Sequence, residues 1–319
     1  MTGTRVALLG STGFVGSAVL ESLAGYEVKV VGSPRLTTRS TNVEELVDEA
    51  RHAPELEDLI RALQGADVVI NAAGDPDASS KQRDRLMGAN ALLPRVIAEA
   101  AAGAGVRRLI QISSAVVQND RPVLDESEEM TPFSAYSESK VLGEKVLMFD
   151  PPASLSITRF RPPSVHAAGR RVTVKVSRIA SSSLASVAAP GDQPTPQALL
   201  PNVAAAVAFL ATSDVMPSRV VIHPWEGVTT GGLMRTLGRG RQPRRVPRSL
   251  AKAVVGGARF LGRGNSSIAA NARRIELLWL GQRQAESWLT TQGWTPPVGL
   301  DGWNEIATSL RDRQEVADQ

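Results

Sequence analysis

Short, continuous apolar runs recur along the chain, and longer amphipathic stretches separate them. Residues 5–9, 28–31, 66–71, 108–113 and 155–160 each predict a strand buried on both faces, because the apolar positions are adjacent rather than alternating. Residues 14–24, 43–51, 55–64, 90–102 and 134–149 carry helical spacing. Strands alternating with helices predict an α/β fold, a doubly wound parallel sheet of Rossmann type. Thr41 and Glu44 stand at capping-box spacing and predict the start of the second helix. After Arg161 the pattern loosens. Pro162-Pro163 interrupts the chain, and residues 180–201, rich in Ser, Ala and Pro, predict loop and short helix, a candidate flap. Residues 219–223 predict one more strand, and residues 276–289 an amphipathic helix. The division expected is a nucleotide-binding Rossmann domain over 1–165 and a smaller lobe over 166–319, some elements of which return to the sheet.

Composition narrows the chemistry. Of 319 residues 42% are hydrophobic, enough for a substantial core. There are no cysteines, which excludes a disulfide scaffold, a thiolate zinc site and a cysteine nucleophile. The histidines His52, His166 and His223 share no ligand spacing, so no metal site is expected. Thirty-six basic against thirty-two acidic residues give a net charge of +4, too mild to imply a nucleic-acid partner. Runs such as residues 203–211 fall short of the ~20 apolar residues a bilayer span needs. No basic region precedes an apolar stretch at the N-terminus. The expectation is a soluble cytoplasmic protein without stable membrane insertion.

The first strand ends in Gly10-Ser11-Thr12-Gly13-Phe14-Val15-Gly16, and a helix follows. The first glycine permits a tight turn, the second lets backbone amides approach a pyrophosphate, and the third lets helix pack on strand. The helix N-terminus then offers its amides to the phosphates. An acid about twenty residues on would hold the ribose 2′-hydroxyl of NAD. After the second strand come Gly32-Ser33-Pro34-Arg35 instead. Ser33 and Arg35, with Arg39 close by, suit the 2′-phosphate of NADP, which a carboxylate would repel. NADP is the favoured cofactor and NAD the alternative. Residues 36–42 offer no further strand.

Tyr136 and Lys140 stand four apart, on one face of the helix predicted over 134–149. A nearby ammonium lowers a phenol's pKa, which makes a general acid or base for a carbonyl or an alcohol. Ser113-Ser114 ends a strand, at the sheet edge where open α/β sheets bind ligands. Ser114 can hold a substrate oxygen beside Tyr136.

These motifs, with Asn71-Ala72-Ala73-Gly74, Asn90 and Arg159-Phe160-Arg161-Pro162, stand in the order of a known superfamily. From Arg5 to about Ala167 the chain resembles the extended short-chain dehydrogenase/reductases, and within them the nucleotide-sugar epimerase/dehydratase/reductase branch. The resemblance implies that Ser114 and Tyr136 are catalytic and that Lys140 bonds the nicotinamide ribose. It also implies that Asn90 supports the lysine, that Ala73 and Gly74 line the adenosine end, and that Pro162 borders the cofactor. Ser114, Ser164 and His166 would meet the substrate. A homodimer through the helices of Asn90 and Tyr136 is implied as well.

The departures sharpen this. Dehydratases of the family carry Asp-Glu after the serine; Ala115-Val116 stands here, which argues against elimination of water. Ser164 replaces an asparagine that commonly touches the nucleotide-sugar. The activity expected is an NADPH-dependent ketoreductase acting on a small anionic substrate, a dTDP- or UDP-activated 4-keto-deoxysugar. The alternatives are an NAD-dependent nucleotide-sugar epimerase, a reductase of a lipid or polyketide ketone, and a non-catalytic dinucleotide sensor.

From Gly227 to Ile275 there are eleven basic residues and no acid. Arg239, Arg241, Arg244 and Arg245 are candidates for a substrate diphosphate. Residues 250–261 read either as a solvated basic face or as a basic amphipathic helix at a membrane surface.

Overall fold

The computed structural model describes residues 3–76, 82–119, 121–262 and 266–317. Its centre is a six-stranded parallel sheet. The strands are β1 (Arg5–Leu9), β2 (Glu27–Val31), β3 (Val68–Asn71), β4 (Arg108–Ile112), β6 (Ser156–Arg161) and β10 (Val220–Ile222), in the spatial order β2-β1-β3-β4-β6-β10. The register sets Leu9 beside Val31 and Asn71, Asn71 beside Gln111, and Gln111 beside Arg159. The C-terminal ends of the strands therefore align, and the loops that leave them share one edge. β2 is the outer strand, with Val30 exposed. The expected burial of both faces fails there: Glu27, Lys29 and Val30 are exposed and only Val31 is buried.

Helices cover both faces. On one side α2 (Val43–Arg51), α3 (Leu56–Leu63), α5 (Leu93–Gly103) and α6 (Ala135–Met148) pack against Ala7, Leu9, Val69 and Leu109. On the other, α1 (Phe14–Ser22) and α8 (Leu200–Thr212) pack against Val6, Leu8, Ile70, Ile110 and Phe160. The start of α2 corrects one expectation. The cap is Asn42, not Thr41: its side chain accepts from the amides of Glu44 and Glu45. Ahead of α5 the chain winds through α4 (Arg83–Met87) and a single wide π-turn, Gly88–Leu92.

After β6 the lobe is built from two-stranded parallel pairs. β7 (Ser164–His166) pairs with β9 (Gln197–Leu199), β8 (Ser186–Ala188) with β11 (Arg244–Val246), and β5 (Val123–Leu124) with β12 (Arg283–Gln284). Helices α7 (Arg171–Ser181), α9 (Thr230–Leu237) and α13 (Asp301–Ala317) enclose a second core of Val176, Val187, Leu233, Leu237, Trp303 and Ile306. Residues 180–201 are no flap: β8 and β9 thread them through that core. Nor is 276–289 one helix. α10 (Arg248–Leu261) and α11 (Ser266–Trp279) come first, then β12, then the one-turn α12 (Trp288–Thr291). Gly281, at φ +68°, turns the chain there.

Candidate active site

The glycine loop leaves β1 as the spacing predicts. A Cβ on Gly16 would fall 2.0 Å from the Gly10 carbonyl oxygen, and one on Gly10 2.5 Å from the Ala73 amide nitrogen. Only hydrogen fits at either place. α1 begins at Gly13 with no side-chain cap and no acid in its first turn, so its first amides stay available to an anion. Ser11, Thr12, Phe14 and Val15 line the same turn; Thr12 is exposed and the other three are partly buried. Across the sheet edge, Ala73 donates its amide to Asn71 Oδ1 at 3.0 Å. A cradle that side chains would fill, with unclaimed helix amides above it, fits a dinucleotide.

Tyr136 and Lys140 sit where the sheet edge meets α6. Ser134 caps that helix and forms a reciprocal capping box with Ser137. Tyr136, Lys140 and Glu144 then follow one another at four-residue spacing on one face. Glu144 is buried and takes a forked ion pair from Arg161 of β6, at 2.9 Å to Oε1 and 2.6 Å to Oε2. It also accepts from Ser113 Oγ at 2.6 Å. This clamp fixes α6 against β4 and β6 and so sets where Tyr136 and Lys140 stand. Extending the Tyr136–Lys140 face by one turn would have pointed to Glu144.

Asn90 is brought in by two glycines. A Cβ on Gly88 would fall 2.1 Å from the Leu36 carbonyl oxygen, and one on Gly143 2.0 Å from that of Asn90. Loop, π-turn and α6 are therefore in backbone contact. Asn90 Nδ2 donates to the Asp75 carbonyl at 2.9 Å and to Ser139 Oγ at 3.1 Å, and its Oδ1 accepts the Asp75 amide at 3.1 Å. Asn90 thus pins the loop after β3, and π-turns often mark functional positions. The Lys140 ammonium lies against Gly74 in the same corner, 3.3 Å from where a Cβ there would be.

The electrostatics depart from the sequence expectation. The half-buried phenol of Tyr136 is pushed up to about 12, by desolvation first. A hydrogen bond with Ser114 and the positive charge of Arg170 pull it down, and Asp75 pushes it up. Lys140 is not the group that tunes it. Its own pKa is lowered to about 8, because desolvation outweighs the attraction of Glu144 and Asp75. Arg170 carried no sequence signal. Its guanidinium stacks over the Phe14 ring at 4.3 Å, which ties the lobe to the glycine loop.

The remaining candidates separate. Ser114 N-caps a short 3-10 turn, Ala115–Gln118, and the Pro162 carbonyl accepts the Ala115 amide at 2.9 Å. Ser164 is half exposed, with its Oγ 3.1 Å from His166 Nε2. His166 itself is buried, which corrects its expected place on the substrate. Its ring nitrogens meet Thr173 Oγ1 at 3.0 Å and Gln197 Oε1 at 2.7 Å, and its ring lies on Trp303. Desolvation lowers its pKa to about 4, so it is neutral. It reaches the cleft only through Ser164. Ser33 and the exposed Arg35 follow the outer strand β2, while Arg39 is engaged by Asp84 at 3.2 Å. Arg244 and Arg245 lie on β11 and are exposed.

The model of the NAD dependent epimerase/dehydratase family matches residues 6–217. The chain belongs to that family. Members are NAD(P)-dependent enzymes of oxidoreductase type, and a nicotinamide dinucleotide is the cofactor class the glycine cradle serves. No curated protein sequence matches the chain. Solved structures share the fold at low identity. MoeE5, in complex with UDP-glucuronic acid and NAD, is 20% identical over 98% of this chain and 99% of its own, with a TM-score of 0.63. The dTDP-4-dehydrorhamnose reductase of Bacillus anthracis, in complex with NADP, is 16% identical over 98% and 99%, at 0.60. The UDP-glucuronic acid 4-epimerase of Bacillus cereus, in complex with NAD, is 16% identical over 97% and 99%, at 0.64. Among the described residues no helix is long and apolar enough to cross a membrane, and no group of acids and histidines could hold a metal ion.

Proposed function

We propose that this member of the family is an NADPH-dependent ketoreductase acting on a nucleotide-activated 4-keto-deoxysugar. The observation that carries the reading is the pairing of Tyr136 with Ser114 at the sheet edge beside the glycine cradle, with Ser33 and Arg35 in place of an acid after β2. The Tyr136 phenol is protonated at neutral pH and can give its proton to a ketone oxygen. The bound dinucleotide supplies hydride from its nicotinamide ring.

The chain's own residues do the rest. Gly10, Gly13 and Gly16 would admit the pyrophosphate, Ala73 and Gly74 would border the adenosine side, and Pro162 would border the nicotinamide end. Ser114 donates to the substrate carbonyl oxygen as negative charge grows on it, and Tyr136 delivers its proton to that oxygen. The charge of Arg170 stabilises the phenolate left behind. Lys140, steadied by Glu144, holds the ribose. Asn90 keeps Asp75 and Gly74 in place. Ser164, oriented by His166, meets the sugar. Ala115-Val116 supply no acid–base pair for elimination, which supports reduction over dehydration.

An NAD-dependent epimerase is the second reading, and the missing acid after β2 weighs against it. The test is titration of the purified protein with NADPH, NADH and NAD, followed by NADPH consumption with dTDP- and UDP-linked 4-keto-deoxysugars. Selective NADPH binding and turnover are expected. NAD retained through purification, with interconversion of nucleotide-sugar isomers, would give the epimerase reading its place.

A further inference from the structure

α10 carries more apolar surface than the protein covers. At 100° per residue, Ala251, Val255 and Ala258 form one stripe, with Ala251 and Val255 buried. Leu250, Val254 and Leu261 form a second stripe about a quarter-turn away. They are 54%, 46% and 72% exposed. Arg248 and Lys252 lie on the opposite, polar face. The two mid-helix glycines, Gly256 and Gly257, meet nothing: a Cβ on either would stand in open space.

The exposed charges that lead into this helix are basic, while Arg259 near its end is paired with Glu276 of α11 at 2.8 Å. Arg244 and Arg245 of β11, then Arg248 in the first turn, are exposed and precede the apolar stripe directly. Cations at a helix N-terminus work against its dipole, so folding alone does not favour them there. No acid occurs from Gly227 to Ile275. A second copy of the chain docked on this stripe would bring two arginine clusters together at low dielectric. A surface of anionic headgroups over hydrocarbon complements both the cations and the stripe.

We infer that the exposed face of α10 docks on an anionic membrane surface, with Leu250, Val254 and Leu261 entering the headgroup boundary and Arg244 and Arg245 meeting lipid phosphates. The contact is peripheral and reversible.

Flotation of the full-length protein with lipid vesicles tests this. Vesicles of phosphatidylcholine with about a third phosphatidylglycerol should carry the protein up at low salt and release it as salt rises. Pure phosphatidylcholine should not. Leu250→Asp with Leu261→Asp should abolish flotation while melting temperature and NADPH affinity stay at wild-type values, since both side chains are exposed. Arg244→Gln and Arg245→Gln together should weaken partitioning roughly 30-fold. The inference falls if the protein stays unbound on anionic vesicles, or binds pure phosphatidylcholine equally well. It also falls if flotation survives the double aspartate variant. Sedimentation closes the remaining route: a dimer of the wild type that this variant dissociates would assign the face to a second copy.

Discussion

In the central sheet, β3 and β4 bury every residue and β1 all but Arg5, and helices come close to them through glycines at 16, 88 and 143. In the lobe after Pro163 no strand exceeds three residues, and buried polar side chains carry much of the order. His166 links Ser164, Thr173 and Gln197. Arg273 and Gln282 both reach the Asn119 carbonyl. Asn202 both donates to and accepts from Val298 at 2.8 Å. The strands of the sheet are specified by apolar area and close backbone approach; the rim of the sheet, where Glu144 meets Arg161, and the lobe are specified by hydrogen-bond partners. The strand core tolerates changes of side chain that conserve volume; the rim and the lobe fail when one partner goes. The catalytic geometry belongs to the sheet side, and what meets the substrate belongs to the lobe.

The largest effects should come from the sheet side. Tyr136→Phe keeps the ring and removes the proton, so kcat should fall by about 10²–10⁴ with NADPH affinity unchanged. Full activity in that variant would remove Tyr136 from the chemistry. Next is the clamp beneath it. Glu144→Gln leaves the Arg161 guanidinium buried without its anion and should cost about 3–5 kcal/mol of unfolding free energy. Adding Arg161→Met should restore much of that loss, because the stranded charge is gone. A double variant no more stable than Glu144→Gln alone would mean that the pair's own attraction, rather than the cost of an uncompensated charge, dominates.

The lobe should respond to acid. In the folded protein His166 titrates near 4, against the ordinary histidine value of 6.5. Between those values the unfolded chain binds a proton that the folded chain refuses, so stability falls as pH drops through that window and is unaffected by His166 above it. The shift corresponds to about 3 kcal/mol at the acid end. Melting followed from pH 7 to 4 should show the loss, and His166→Gln should flatten it. An unchanged slope in that variant would place the acid sensitivity elsewhere.

Legibility in the sequence followed the same division. The strands at 5–9 and 108–112 and the helix at 43–51 were plain from apolar continuity and spacing. So were the glycine loop and the Tyr136–Lys140 face, whose signals are local. Residues 180–201 read as a flap because β8 and β9 are short and find their partners, β11 and β7, far along the chain. His166 read as a ligand contact because Trp303 and Gln197, which enclose it, are remote in sequence. The tuning of Tyr136 was misread for a related reason. Proximity along α6 suggested Lys140, whereas burial and the distant Arg170 set the balance.

The smallest predicted effect tests the outer edge of the sheet. Two arginines follow β2, and the structure separates them. Arg39 already has Asp84, whereas Arg35 has no acid partner among the described residues. A 2′-phosphate would therefore draw on Arg35 and on the half-exposed Ser33 beside it, while Arg39 would first have to leave its carboxylate. Because Arg35 is exposed, water and salt screen it, and its removal should cost only about tenfold in affinity. Arg35→Ala should raise the NADPH dissociation constant by that factor and leave the NADH constant unchanged. Adding Arg39→Ala should change little further. If Arg35→Ala weakens both cofactors equally, the arginine acts on the shared adenosine half, and the absence of an acid after β2 no longer argues for NADP. The epimerase reading would then stand level with the reductase at this edge, and interconversion of nucleotide-sugar isomers against net NADPH consumption would decide between them.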